Sequence, residues 1–581
     1  MKISELLISN ILSYPYCENI VEATKINFDD ELNIFIGENG SGKSTILEII
    51  NFIFKKVLFK QYDTNWELFD KSDSVQVNER KGILSLASSH HSYSEFRLEK
   101  NWNTQNEESK IRLTISLDEL DKKNITNLIQ HMARLKEFAV NYTGFFPELD
   151  INYSTQIIID INLHEVGNFS VTSSSEDSGY RYLVNYNVFK KIIELYNVKN
   201  EEKIEPLYET FTLISGYRNY HQFVKTTSLQ NDVRVQIENI NKREYAHGVN
   251  MAEEREPKIF EFIKLKIAQK HYDVIMDKKN NEQSEAHANN LPLLKSINKK
   301  LKIINLECKI RLVSQRTWTY AFEFCDLKRG TIIKDINSLS AGQKAITHLI
   351  FEAYGRGELK GGVVIIDEPE IHLHYQFQHE YFRIIKEING EQKCQYVLVT
   401  HSESLINSDT IHNVKRFALN DVRNTVLKSP KLNADKVLLV KILDNTRSTH
   451  ALFSRKVLLV EGETDRYFFK ALIKNLDPEF EQEIAVLDIS GKKNHRTWKD
   501  FFEDYGLAVY FFGDLDAANK ILYQERSENT LDTQEKVIKF KKEHPDIETK
   551  IEENYTHGIY ILKDGDLESY LGIKKGLEQV I

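Results

Sequence analysis

Short, nearly uninterrupted apolar runs frame this chain. Leu32–Ile36, Val363–Ile366, Tyr396–Val399 and Val457–Val460 are rich in Val, Ile and Leu and too short for helices, the pattern of strands buried on both faces of a parallel sheet. Each run is followed by a glycine-rich turn or by a polar or acidic residue at its C-terminal edge, where open α/β sheets place their ligands. Alternating apolar and polar positions predict half-buried strands at Lys110–Leu117 and Gln156–Asn162, and helical spacing predicts helices at Asp118–Phe138 and Phe260–Asp277. Internal repeats and sustained heptads are absent, so a long coiled coil is not expected, though a helical arm fits. Asp277–Leu291 is polar enough for a surface loop or a disordered stretch. A break at Asn445–His450 precedes a new strand and sets the predicted boundary. The expected domains are 1–450, with an inserted and partly helical region at about 60–330, and 451–581.

Composition narrows the class. The chain has 581 residues, 41% hydrophobic and 28% charged, enough apolar surface for several cores and too little charge for disorder. No run approaches the roughly 18 apolar residues of a membrane span, and the N-terminus, which alternates and carries Glu5, does not read as a signal peptide. Four scattered cysteines without a CxxC pair exclude a zinc ribbon and a disulfide scaffold. A cytoplasmic protein without a membrane partner is expected. The net charge of −9 argues against a protein that coats nucleic acid, yet leaves room for a local basic groove.

The first chemical constellation is a phosphate cradle. Gly37-Glu-Asn-Gly40-Ser-Gly42-Lys43-Ser44 fits GxxxxGK[ST], with a strand before it and helical Thr45–Phe54 after it. In such a loop Gly37, Gly40 and Gly42, with Asn39 between them, let backbone amides curl around a phosphate at a helix N-terminus. Lys43 neutralises β/γ oxygens, Ser44 offers a hydroxyl to Mg²⁺, and Thr45 continues the cradle. Val363–Ile366 then delivers Asp367 and Glu368, one carboxylate suited to hold Mg²⁺ through water and one to orient the attacking water. Leu339-Ser340-Ala-Gly342-Gln-Lys344 puts a serine and a glycine at a helix start, a second anion site suited to the γ-phosphate of a different nucleotide; taken alone it is a plain helix cap. Tyr396–Val399 runs into Thr400-His401, an imidazole at a strand end. Arg218, after the strand Thr210–Ser215, is within reach of phosphate, though the favoured reading is an exposed structural arginine.

The second constellation lies beyond residue 450. Val457–Val460 ends in Glu461, and Asp465 lies one helical turn on. Leu507–Phe512 ends in Gly513-Asp514-Leu515-Asp516, whose i, i+2 spacing puts both carboxylates on one face. Asp566-Leu567-Glu568 follows the strand-like Gly558–Leu562. Acidic residues gathered at strand ends repel unless cations neutralise them, and hard oxygen ligands with room for water suit Mg²⁺ or Mn²⁺. Two such ions would support in-line phosphodiester chemistry. Lys492, Lys493, His495, Arg496 and Lys499 follow Gly491, and Lys295–Arg311 is a second basic stretch; each fits a solvated face or a phosphate-tracking edge.

In this order the first four elements resemble the ATPase heads of the ABC class, in the branch that includes SMC and RecF-type proteins, and Asp367-Glu-Pro-Glu-Ile-His-Leu-His374 resembles their DEPExxLHP pattern with Tyr375 in place of the proline. The set Glu461-Gly, Asp465, Gly491, Asp514-x-Asp516, Glu568 resembles a Toprim domain. An ABC-type head followed by Toprim is the arrangement of OLD-family ATP-dependent nucleases, among them the nuclease subunit of the Gabija system and retron-associated effectors. This resemblance implies an α/β fold with an ABC-type head, a long inserted dimerisation or arm region and a Rossmann-like Toprim domain. It implies ATP as cofactor, two heads pairing so that Ser340 and Gly342 complete the partner's nucleotide site, Glu368 as catalytic base and His401 as γ-phosphate sensor. Glu461, Asp514 and Asp516 match its signature carboxylates, and Asp465 and Glu568 match acidic positions of the OLD branch. A homodimer or higher oligomer and a role in anti-phage defence follow from the same resemblance. The family's glutamine after the phosphate loop has no clear counterpart. The sequence ends 13 residues after Glu568, leaving Lys563, Lys574 and Lys575 as substitutes for a lysine proposed in some relatives.

The expected function is an ATP-regulated, divalent-metal endonuclease, with DNA favoured. An RNA nuclease acting for example on tRNA, a non-nucleolytic RecF-like repair ATPase, and an effector held silent by a reverse transcriptase–RNA complex or a small protein stay open beside it. Retention of acidic residues at five positions favours the nuclease, because a mere nucleic-acid platform is better served by lysine.

Overall fold

The computed structural model describes residues 1–71, 83–86, 92–142, 146–174, 176–216, 218, 220, 223–247, 258–278, 286–355, 359–371, 373–429, 436–445, 448–491, 494–523, 531 and 533–572. Lys492, Lys493, Lys574, Lys575 and residues 279–285 of the polar stretch lie outside them, while residues 286–289 of that stretch are helical rather than a loop. The chain forms two compact units: 1–34, 42–400 and 423–425 in one, and 35–41, 401–422 and 426–581 in the other. The division passes through the glycine-rich loop itself. The second unit also reaches back before residue 445, where the sequence pattern sets the boundary.

In the first unit, strands β1 (Lys2–Ser9) and β2 (Thr24–Asn27) are followed by β3 (Leu32–Gly37), whose last three residues belong to the second unit, and then by helix α1 (Lys43–Phe52). Strands β4 (Ser109–Ser116), β5 (Gln156–Leu163) and β6 (Phe169–Ser173) follow. They join the first two strands in an antiparallel sheet of order β2-β1-β4-β5-β6, with Ile8 opposite Ile111 and Leu113 opposite Ile159. β5 buries every second residue, as its alternation predicts. Part of the stretch read as an insert is therefore integral to the N-terminal sheet. The helix predicted at Asp118–Phe138 forms as two, Glu119–Gln130 and Met132–Tyr142; the first starts at a capping box between Asp118 and Asp121.

Strand β7 (Glu209–Ile214) precedes helices α2 (Ile259–Lys278) and α3 (Pro292–Leu301) and strands β8 (Leu306–Ser314) and β9 (Thr319–Asp326), which pair antiparallel. Helix α4 (Ala341–Gly355), strand β10 (Leu359–Asp367), helix α5 (Tyr375–Gln392) and strand β11 (Gln395–Val399) complete the unit. β10 pairs in parallel with β11 on one side and β7 on the other, and β3 follows β11 in the sheet. Its run Val363–Ile366 is fully buried, and α1, α4 and α5 pack against it, so apolar residues on both faces are what this strand needs. The helical segment predicted to end at Phe54 extends to Leu58. It passes at Ile53–Leu58 into a π-helical turn.

In the second unit, β12 (Val414–Leu419) precedes strands β13 (Lys456–Val460), β14 (Ile484–Asp488), β15 (Ala508–Gly513) and β16 (Ile559–Ile561). The last four form a parallel sheet of order β14-β13-β15-β16, in register from Lys456↔Ile484 and Lys456↔Ala508 to Val460↔Asp488 and Val460↔Phe512. Helix α6 (Glu463–Leu476) follows β13, α7 (His495–Asp504) lies between β14 and β15, and α8 (Leu567–Leu571) closes the described chain. Parallel register brings all C-terminal strand ends to one edge. No helix among the described residues is long and apolar enough to cross a membrane. All four cysteines are free thiols.

Candidate functional site

The phosphate loop begins where β3 ends. Gly37 has φ +131°, and a β-carbon there would lie 1.8 Å from the Phe417 carbonyl oxygen, so backbone conformation and space both require glycine. Ser41 Oγ donates to the Glu38 carbonyl at 2.7 Å, closing the loop on itself. Gly42, φ +92°, is the residue before α1, and Tyr14 Oη donates to its carbonyl at 2.9 Å. Lys43 is buried, whereas Asn39, Gly40 and Ser44 are exposed. Thr45 is buried on α1. The first turn of α1 thus opens a helix N-terminus with the exposed Ser44 hydroxyl on it, the geometry that receives an anion.

Asp367 ends β10 and is 5% exposed. Burial foremost, then the neighbouring Glu368 carboxylate, pushes its carboxyl up to about 7, while Arg218 and Lys43 pull it down. Its Oδ1 has no hydrogen-bond partner among the described residues. A buried carboxylate oxygen left unmatched beside a lysine and a second carboxylate is where a hydrated divalent cation fits. Glu368 adopts φ +46°, an uncommon conformation for a residue with a side chain, and its N–H donates to Val399 at 2.8 Å. A β-carbon built on Gly216 would lie 3.4 Å from Asp367 Oδ2 and 3.5 Å from Glu368 Oε2, so the backbone after β7 passes close to both carboxylates.

Arg218 corrects the reading of an exposed arginine. It is 4% exposed and donates from Nη1 to the carbonyls of Ser215 (2.8 Å) and Asp367 (3.1 Å), and from Nη2 to those of Glu368 (2.9 Å) and Pro369 (3.3 Å). It binds the backbone that carries the acidic pair and is not turned out toward phosphate. Glu48 is a residue the sequence reading missed. It lies one helical turn after Ser44 and is 6% exposed; burial pushes its carboxyl up to about 7, with a further push from Asp367 and an opposing pull from Arg97. An acid inside an otherwise apolar buried helix was the available signal.

Ser340 and Gln343 form a reciprocal cap at the start of α4: Gln343 N donates to Ser340 Oγ at 3.2 Å and Ser340 N to Gln343 Oε1 at 3.0 Å. A β-carbon on Gly342 would lie 3.0 Å from the Phe377 ring. Ser340 is exposed at this helix start. His401, exposed, follows the end of β11 and belongs to the second unit.

The second unit assembles the other carboxylates at the C-terminal strand ends. Glu461 follows β13, and its Oε1 accepts the Asp514 N–H at 3.1 Å. A β-carbon on Gly513 would stand 2.7 Å from that same oxygen, so a side chain before Asp514 would push the Glu461 carboxylate aside. Asp465 faces back along α6 and its Oδ2 accepts the Gly462 N–H at 3.2 Å. Asp514 Oδ1 accepts the Leu567 N–H at 3.0 Å. Burial first, then the charges of Asp465, Asp516 and Asp566, push the Asp514 carboxyl up to about 7 against the pull of that hydrogen bond. Asp566 is buried and caps α8 by accepting from Ser569 N at 2.9 Å; Glu568 lies in the same first turn, half-buried. Among the described residues no three acidic, histidine or cysteine side chains converge tightly enough to enclose an ion. The arrangement is an open, mutually repelling set of carboxylates, which suits a hydrated hard cation better than a closed structural site.

A family model described as an AAA ATPase domain matches residues 1–406, and one described as the TOPRIM domain of overcoming lysogenization defect protein-like sequences matches residues 452–516. An OLD nuclease of Thermus scotoductus is 33% identical over 159 residues, which is 26% of this chain and 30% of the relative. Endonuclease GajA of Bacillus cereus is 25% identical over 182 residues, 31% of each chain. The Old nuclease of Escherichia phage P2 is 23% identical over 267 residues, 37% of this chain and 44% of the relative. The matched segments thus span 30% to 44% of the relatives' own lengths.

Proposed function

The chain belongs to the AAA ATPase domain family through residues 1–406, and from that premise we propose that it is an ATP-regulated, divalent-metal-dependent endonuclease of the OLD type. The observation that carries the nuclease reading is Asp514, held up to about 7 by burial and by Asp465, Asp516 and Asp566 at the ends of parallel strands. So much negative charge at one sheet edge is relieved by a proton or a cation, and Mg²⁺ or Mn²⁺ there would supply charge neutralisation and an activated water for phosphodiester hydrolysis. Glu461, Asp465, Asp514, Asp516 and Asp566 or Glu568 would hold it. The relatives, an OLD nuclease and endonuclease GajA, support the same chemistry.

At the nucleotide site, Lys43 and the loop amides would bind the triphosphate, Ser44 and Asp367 would hold its Mg²⁺, and Glu368 would orient a water toward the γ-phosphate. His401 at a strand end senses that phosphate, and the Ser340 helix start with Gly342 serves the nucleotide of a second copy, so a homodimer is the working assembly. DNA is the favoured substrate, and defence against phage the favoured role. Both sites act in the cytoplasm in this reading.

The test is incubation of the purified chain with supercoiled plasmid, linear DNA and tRNA in Mg²⁺ or Mn²⁺, with and without ATP, beside Asp514→Ala and Lys43→Ala. Cleavage lost in Asp514→Ala with ATP binding intact is the expected result, and Lys43→Ala loses ATP binding. Wild-type cleavage rates in Asp514→Ala would sink the metal-site assignment.

A further inference from the structure

Glu38 places a carboxylate inside the phosphate loop. The second unit contains both this loop segment and β13 to β16. There Glu38 Oε2 receives a two-pronged ion pair from Arg455, with Nε and Nη2 each at 3.0 Å. The same guanidinium reaches Glu483 Oε1 at 3.3 Å. The loop backbone is tied down as well, Glu38 N donating to Phe417 O at 3.2 Å. Next to Phe417, the fully buried Arg416 donates to the carbonyls of Leu452 (2.8 Å), Tyr505 (3.2 Å) and Ser454 (2.7 Å). The Glu38 carboxylate also acts on Arg416 through its charge. The chain immediately before Arg455 is thus fixed to β12, and Arg455 itself to the loop.

Arg455 also belongs to the sheet. Its N–H donates to Glu483 O at 3.1 Å and its carbonyl accepts from Ala508 N at 3.4 Å. It is the residue before β13, which is paired along its length on both sides and delivers Glu461 at its far end. From Arg455 to Glu461 is about 20 Å of extended chain at ~3.3 Å per residue, a central strand with little freedom to bend. One end of this strand holds the phosphate loop by its carboxylate. The other carries the oxygen that accepts the Asp514 N–H.

We propose that the Glu38–Arg455 ion pair passes nucleotide occupancy of the phosphate loop to the carboxylate site through β13. The proposal rests on the functional reading above and names its regulation. Without Arg455, the Glu38 carboxylate opposes an arriving triphosphate. With the pair formed, that repulsion is offset, and a bound triphosphate in turn strengthens the hold of Glu38 on Arg455. Coupling of this kind is reciprocal: what nucleotide does to the strand, the strand does to nucleotide affinity. The pair is partly exposed, so its effect belongs at the low end of site–site coupling, roughly five-fold in nucleotide affinity.

Hydrogen exchange of the full chain with a non-hydrolysable ATP analogue tests this without needing cleavage. In the wild type, the analogue is expected to slow exchange both at the start of α1 and across 456–461. In Arg455→Gln the α1 response stays, the 456–461 response disappears, and analogue affinity falls about five-fold; Arg455→Lys, which keeps the charge, retains part of both. A 456–461 response in Arg455→Gln equal to wild type, or none in the wild type, overturns the proposal. Thermal unfolding of Arg455→Gln separates a lost relay from a lost fold, because a purely structural role lowers the midpoint without altering the nucleotide response. Failure of the nuclease reading shows independently, as wild-type cleavage by Asp514→Ala.

Discussion

Arg218 Nη2 donates to the carbonyl of Glu368 at 2.9 Å, bracing the backbone of the residue proposed to orient the attacking water. Glu368 sits at φ +46°, a conformation a glutamate keeps only when its surroundings enforce it. Removal of the guanidinium leaves the carbonyls of Ser215, Asp367, Glu368 and Pro369 without this donor. Arg218→Ala is therefore expected to cost about 3 kcal/mol of stability and to lower ATP turnover at least ten-fold. Lysine cannot reproduce the fork, so Arg218→Lys should recover little. Denaturant unfolding and phosphate release check both; unchanged turnover in Arg218→Ala would remove its bracing role.

The close approach of Gly513 to Glu461 makes a narrow prediction. Gly513→Ala forces a methyl to 2.7 Å from Glu461 Oε1 and displaces the carboxylate from the Asp514 amide. Metal-dependent cleavage should fall by more than ten-fold while ATP affinity stays at the wild-type level. Equal cleavage in the two proteins would show that Glu461 need not hold this position.

Asp514 gives a pH dependence with a definite sign. Its carboxyl is raised from 3.8 to about 7, so without metal the folded chain binds more protons than the unfolded one between these values. Its stabilising contribution is thus complete below about 3.8 and is lost as pH rises through about 7. Metal-free protein should lose stability from pH 5 to 8 more steeply than Asp514→Asn. Because a bound cation displaces the proton, Mn²⁺ affinity should rise with pH, approaching ten-fold per unit below 7. Calorimetry at pH 6 and 8 reads this, and a flat affinity would separate Asp514 from metal binding.

Arg416 tests the integrity of the second unit. It is 1% exposed and satisfies three carbonyls from two segments, those of Leu452 and Ser454 in one and Tyr505 in the other. Arg416→Ala buries those acceptors without their donor and should cost about 3–4 kcal/mol. Loss of less than about 1 kcal/mol in urea unfolding would mean that water replaces the guanidinium.

Much of the chemistry was legible in the sequence because it is encoded locally. The glycine loop, the lysine and hydroxyl after it, the apolar run that ends in Asp367 and Glu368, and the acids after Val457–Val460 and Leu507–Phe512 each occupy one short segment. Strand burial and the φ demands of Gly37 and Gly42 constrain such segments residue by residue. What only the tertiary structure decided are relations across long separations. Arg218 looks the same in sequence whether it faces water or the carbonyl of a residue 149 positions away. Glu38 reads as a filler position of the loop until Arg455, 417 residues on, is found against it. Asp566, more than Glu568, is the neighbour whose charge reaches Asp514, because the turn into α8 points the first inward. Periodicity and turn chemistry set which residues reach a strand end; which charges then meet depends on how distant strands pack, and no local pattern records that.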